Sequence, residues 1–149
     1  MQLIVGIDPG KSGAAACISD GELKWVLPFR GEIDNCRKIK YSNVVYFIER
    51  VTASPNMGVV SAFTFGKWAE AVESAAYHSG SPFHMVRPVV WQNAIGVYSL
   101  GDKGKLYNHA KELFPEQYKA RMFNKDTSDA VLIAYYGWRY MGHNREETR

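Results

Sequence analysis

Four carboxylates stand where charge is costly to place. Asp8 directly follows the apolar run Leu3-Ile4-Val5-Gly6-Ile7, and Glu49 directly follows Val44-Val45-Tyr46-Phe47-Ile48. A charge at the end of a fully apolar strand sits beside the core and is expensive to desolvate. If the two strands lie side by side and parallel, both carboxylates emerge at one edge of the sheet, within reach of a shared cation. Asp126 and Asp129, three residues apart at the start of the last apolar run, are expected to share a helix face and complete the set. Carboxylates a few ångströms apart cannot all stay ionised cheaply, so such a cluster calls for a counter-charge. All-oxygen ligation without histidine or thiolate selects hard ions, Mg²⁺ first and Mn²⁺ as substitute. Two such ions about 3.5 to 4 Å apart suit in-line displacement at a phosphodiester, one activating water and one stabilising the leaving oxygen. Each acid alone also has a plain reading: Asp126 and Asp129 as a capping pair, Asp8-Pro9-Gly10 as a turn, Glu49 as an ion-pair partner. The chemistry rests on the four occurring together.

Hydrophobic patterning predicts the elements that must position these residues. Strands are expected at 3–7, 14–18 and 23–27, the last two joined through Ser19-Asp20-Gly21-Glu22, an Asp-Gly hairpin signal. A short basic helix is expected at 33–40, a fourth strand at 44–48 and a breaker-rich loop at 53–58. Apolar positions at three- to five-residue intervals predict a helix over 59–76. A fifth strand follows at 82–86, then a short helix opened by Pro88 and a Gly- and Lys-containing loop over 96–105. Helices at 106–114 and 127–138 complete the pattern, with a polar, mobile tail from Gly142. The sum is an α/β layered chain forming one domain over residues 1–149.

Composition narrows the function classes. A chain of 149 residues with 46% hydrophobic residues can bury a sizeable core, and a net charge of +3 gives only weak support for an anionic partner. Cys17 and Cys36 lack C-x-x-C spacing, which points away from a zinc site or a disulfide framework. Neither a signal peptide nor a run of roughly 20 apolar residues is visible, so no membrane partner and a cytoplasmic location are expected. His78, His84, His109 and His143 have no mutual ligand spacing.

Five pieces of sequence carry a resemblance: Gly6-Ile7-Asp8-Pro9-Gly10 followed by Ser12-Gly13; Phe47-Ile48-Glu49-Arg50-Val51; Pro55-Asn56-Met57-Gly58-Val59-Val60-Ser61 running into Phe65-Gly66; Arg87-Pro88-Val89-Val90-Trp91; and Asp126-Thr127-Ser128-Asp129-Ala130 leading into Leu132-Ile133-Ala134. Over roughly residues 3 to 140 the chain resembles the RuvC-type Holliday junction resolvases, most closely their small phage-encoded branch. The resemblance implies an RNase H-like fold: a five-stranded mixed sheet, strands one to three antiparallel and strands four and five parallel to strand one, flanked by helices. It implies a homodimer that binds four-way DNA junctions and nicks two opposing strands symmetrically with Mg²⁺, using Asp8, Glu49, Asp126 and Asp129 as metal-binding acids.

Two departures stand out. Asp126 occupies a place where the bacterial branch often has histidine, and Thr52-Ala53-Ser54 offers no aromatic wedge after the strand-four glutamate, leaving Met57, Phe63 or Phe65 for junction opening. Lys11, Lys103, Lys105, Arg121 and Lys125 are the candidate phosphate contacts, Lys105 foremost because similar family members carry a lysine in that loop. Val59 onward, with Phe63, Phe65 and Trp68, is a candidate two-fold interface, with burial in the protomer's own core as the equal alternative. Another RNase H-like nuclease, acting on flaps, other branched DNA or RNA-DNA hybrids, would carry the same metal site. A reading from a different class takes Gly6 to Gly13 as the phosphate loop of an actin- or sugar-kinase-like ATPase. That class needs a second duplicated domain, and no Walker-type motif is present, so no nucleotide cofactor is expected.

Overall fold

The structure, a computed structural model, describes residues 2–10, 12–29, 43–50 and 57–147. Strands β1 (Leu3–Asp8), β2 (Gly13–Ser19) and β3 (Glu22–Phe29) form an antiparallel meander. The β2–β3 turn has Asp20 and Gly21 at φ 52° and 79°, the doubly left-handed pair that a tight hairpin requires and that Asp-Gly tolerates. β4 (Val44–Glu49) pairs parallel with β1, and β5 (Phe83–Val86) pairs parallel with β4. The order β3-β2-β1-β4-β5, with β1, β4 and β5 parallel, is the mixed sheet the sequence leads one to expect.

Both faces of the sheet are covered, which is why the central strands read as unbroken apolar runs rather than alternating ones. On one face Ile4, Ala16, Val45 and Phe47 pack with Ala130 to Ala134 of helix α5 (Ser128–Glu147) and with Trp91 and Leu106. On the other, Val5, Ile7, Tyr46 and Ile48 meet Val72 and Ala76 of helix α1 (Val59–Ser79). Two glycines set α5 hard against the sheet. A Cβ at Gly6 would lie 2.3 Å from the Ala134 nitrogen, and one at Gly137 would lie 2.4 Å from the Phe47 ring. Only a missing side chain permits either approach.

Between β5 and α5 run α2 (Pro88–Ala94), α3 (Lys103–Leu113) and α4 (Pro115–Lys119). Here the structure corrects the sequence reading. Lys103 and Lys105 lie in the first turn of α3, not in a loop, because the Asp102 carboxylate caps that helix by accepting from the Gly104 and Lys105 amides at 2.9 and 3.4 Å. Pro115 ends α3 and starts α4, a helix the patterning did not anticipate, since proline suits a first helical position as well as a break. α5 continues to Glu147, beyond the 127–138 helix that the patterning predicts. The expected helix at 33–40, most of the 53–58 loop, Cys36 and Lys11 lie outside the described residues. Among the described residues no helix is long and apolar enough to cross a membrane.

Candidate carboxylate site

Asp8 and Glu49 end neighbouring parallel strands. The register pairs Ile7 with Ile48, so the next residue on each strand is a carboxylate, and the two stand side by side at the same sheet edge. Both share the parity of Gly6 and Phe47 and therefore face α5. Glu49 is buried, at 8% exposure, and one oxygen has a fixed partner: the Trp91 indole Nε1–H donates to Glu49 Oε2 at 2.8 Å. Trp91 is fully buried and sits one turn into α2, which Pro88 opens directly after β5. The indole thus holds the carboxylate from within the core.

Asp129 reaches the same place from the first turn of α5. The entry to that helix is a side-chain knot. Asn124 Oδ1 accepts from the amides of Asp126 and Thr127 at 2.9 and 3.1 Å, Thr127 Oγ1 accepts from the Asn124 amide at 2.9 Å, and Ser128 Oγ donates to the Asn124 carbonyl at 2.6 Å. Asn and Thr favour such local turns over helix, so the helix starts at Ser128. The expectation that Asp126 shares a helix face with Asp129 is corrected accordingly: Asp126 lies in the exposed turn, two residues ahead of α5. Gly6 packed on Ala130 and Ala134 brings the beginning of α5 over the end of β1, and with it Asp129 over Asp8.

The electrostatics identify which acids act on one another. Asp8 is raised well above the ordinary carboxylate range, first by burial, then by the charges of Glu49 and Asp129, with Lys103 opposing. Glu49 is pushed up to about 7 by burial and by Asp129, against the Trp91 hydrogen bond and Lys103. Burial also raises Asp129, again with Lys103 opposing. One oxygen of Asp129, Oδ1, is buried with no hydrogen-bond partner. A buried orphan acceptor on an acid is rare in native proteins and suits a group that binds something else.

The cations sort unequally. Lys103, from the first turn of α3, opposes the charge of all three acids and lines, with Glu49, Asp129, Arg50 and Arg87, a cavity of about 630 Å³. Lys105 is exposed one step further along the helix. Arg121, at φ 58°, lines a different cavity with Tyr107, Tyr118 and Thr127, and Lys125 is exposed in the turn before α5. Trp91, Arg50 and Arg87 entered the sequence reading only as pieces of the resemblance, with no role. Their single local signal was a proline-opened helix directly after a strand.

Three oxygen-bearing side chains, one buried and two half-buried, repelling one another and offset by one lysine, are of the donor type that suits a hard divalent cation. Among the described residues, no three His, Cys, Asp or Glu side chains are gathered tightly enough to hold a metal as they stand.

No family model matches the sequence, and no curated protein matches it. Similarity is found among solved structures. One described as T. thermophilus RuvC in complex with Holliday junction substrate has a TM-score of 0.65 at 15% identity, covering 95% of this chain and 96% of that one. A second, described as a Thermus thermophilus RuvC structure, has a TM-score of 0.58 at 15% identity, covering 95% of this chain and 97% of that one. At such identity the likeness is one of architecture: the chain has the RuvC fold.

Proposed function

We propose that this protein is a divalent-metal-dependent endonuclease that cuts branched DNA, four-way junctions foremost, with Mg²⁺ as its ion and Mn²⁺ as substitute. The observation that carries the reading is that Asp8, Glu49 and Asp129, from β1, β4 and α5, repel one another, with Glu49 and Asp129 lining one cavity together with Lys103, Arg50 and Arg87. The neighbour of the same fold over nearly its whole length is described in complex with a Holliday junction, which favours that substrate for this chain too.

In this reading Asp8, Glu49 and Asp129 hold the ion, and Asp126 completes the set from the exposed turn. A bound divalent ion supplies counter-charge to the reacting phosphodiester and lowers the pKa of an attacking water. The chain's own residues do the rest. Trp91 keeps Glu49 in one orientation, leaving its second oxygen to the site. Lys103 draws the phosphate toward the acids and balances their charge. The Gly6–Ala134 contact holds the helix-borne acid against the strand-borne pair.

A homodimer belongs to the same proposal. The outer side of α1 exposes Val59, Val60 and Phe63 at 87%, 80% and 72%, an apolar patch suited to a two-fold contact that would set two sites on opposing strands. The test is a side-by-side assay of synthetic four-way junctions, flaps, duplexes and RNA-DNA hybrids with mapped cut sites, with and without Mg²⁺. Paired symmetric nicks confined to the junction support the reading. Preferential cutting of hybrids or flaps replaces the substrate, and metal-independent cutting removes the mechanism.

A further inference from the structure

A second cavity adjoins the carboxylate site. It encloses about 290 Å³ between the edge strand β5, α2 and the middle of α5, and Phe47, His84, Tyr136 and Tyr140 give it an aromatic floor and wall. Arg50 and Arg87 line this cavity and the carboxylate cavity alike. Both arginines are exposed, and neither has an ion-pair partner among the described residues. No acidic side chain lines the groove. Its charge is therefore opposite in sign to that of a phosphate backbone.

The aromatic groups are held rather than loose. His84 stacks on the buried Phe47 ring with centroids 4.8 Å apart and meets Tyr140 edge-on at 5.7 Å, while Tyr136 and Tyr140 lie 6.0 Å apart. Tyr140 remains 40% exposed. Asp129, Tyr136 and Tyr140 follow one another at seven and then four residues along α5, so they share one stripe of the helix. Eleven residues of helix rise ~16 Å, roughly five nucleotides of stacked strand and fewer of a stretched one.

We propose that this groove receives an unpaired nucleobase of the strand whose phosphodiester lies at the acids, with Arg50 and Arg87 guiding the intervening phosphates and Tyr140 and His84 presenting the stacking surface. The inference rests on the nuclease reading for the position of the strand, but the groove's chemistry stands without cleavage. Aromatic faces stack on any base, and guanidinium groups bind phosphate wherever it passes, so the groove grips single-stranded DNA without reading its sequence. An unpaired segment beside the cut distinguishes a branched substrate from a plain duplex.

The test scans 5-iododeoxyuridine along the strands of a four-way junction, photo-crosslinked to the full-length Asp8→Asn protein in EDTA, so that capture does not depend on cutting. The expected result is attachment to His84, Tyr136 or Tyr140, confined to one side of the cut position and within about five nucleotides of it. In wild-type background, Tyr140→Ser raises the KM for junction cleavage by about five-fold or more with kcat held, while Tyr140→Phe restores it. Crosslinks mapping elsewhere or not forming, or a Tyr140→Ser variant with an unchanged KM, overturn the groove alone. Attachment to the groove by a wild-type protein that cuts no DNA in any divalent metal overturns the nuclease reading and leaves the groove as a nucleic-acid site.

Discussion

Gly6 of β1 and Ala134 of α5 meet backbone to backbone, so closely that a Cβ on the glycine would lie 2.3 Å from the alanine nitrogen and 2.5 Å from the Ala130 carbonyl oxygen. Asp8 is two residues beyond Gly6 on the same strand face, and Asp129 immediately precedes Ala130. The distance between two of the three mutually repelling acids is therefore set by a residue with no side chain. Gly6→Ala must push the helix away from backbone it cannot displace. The expected cost is about 1 to 3 kcal/mol in urea unfolding, with a larger proportional loss of cleavage than of junction binding. A variant that unfolds like wild type and cuts like wild type contradicts this role.

Glu49 carries a pH signature. Its folded pKa of about 7 lies above the ordinary 4.5, so its contribution to stability is fully present below pH 4.5 and is lost as pH rises toward and through 7. Metal-free protein should gain thermal stability on going from pH 8 to about 5. Glu49→Gln should flatten that slope and, at pH 8, recover stability on the order of 3 kcal/mol. Asp129→Asn should act in the same direction, because burial raises that carboxyl as well. Asp126→Asn should weaken metal binding from its exposed place in the turn before α5. Thermal melts across pH in EDTA test Glu49 and Asp129, and metal titrations test Asp126.

Trp91 has a distinct expectation because its hydrogen bond favours the charged form of Glu49. Trp91→Phe preserves most of the ring and removes the donor, which should cost about 1.5 to 3 kcal/mol and move the Glu49 pKa further up. Cleavage at limiting Mg²⁺ should then need a higher pH than wild type needs. An unshifted pH profile would show that the indole only fills space.

Metal substitution distinguishes oxygen-ligand chemistry from general binding. Mn²⁺ should replace Mg²⁺ in cleavage, whereas Ca²⁺, with its looser and higher coordination, should support junction binding without turnover. Chelation with EDTA should abolish cutting and leave much of the phosphate-driven, salt-sensitive binding in place. Turnover in EDTA would remove the metal from the account.

The sheet was legible because β1, β2 and β4 are buried on both faces and announce themselves as continuous apolar runs, and because Asp20-Gly21 is a turn with a mechanism. Asp8 and Glu49 were legible for the same reason: a charge ending such a run is conspicuous. The start of α5 was not, because Asn124 and Thr127 form their own hydrogen-bonded turn and move the helix start past Asp126, something that spacing alone does not reveal. Lys103 reads as a loop residue in the sequence because the glycines at 101 and 104 mask the cap formed by Asp102. Trp91 and the two arginines act across the fold, with Trp91 lying 42 residues from Glu49 in the chain, and no local pattern encodes such a contact.

Removing one carboxylate tests the central claim most directly. Asp8→Asn protein and wild type should be compared on a labelled four-way junction in Mg²⁺, with binding measured in Ca²⁺ on the same DNA. The account predicts unchanged or slightly tighter binding and cleavage reduced by at least about a hundred-fold, the scale of loss for a group acting only in the transition state. Cleavage by the variant at the wild-type rate would contradict it.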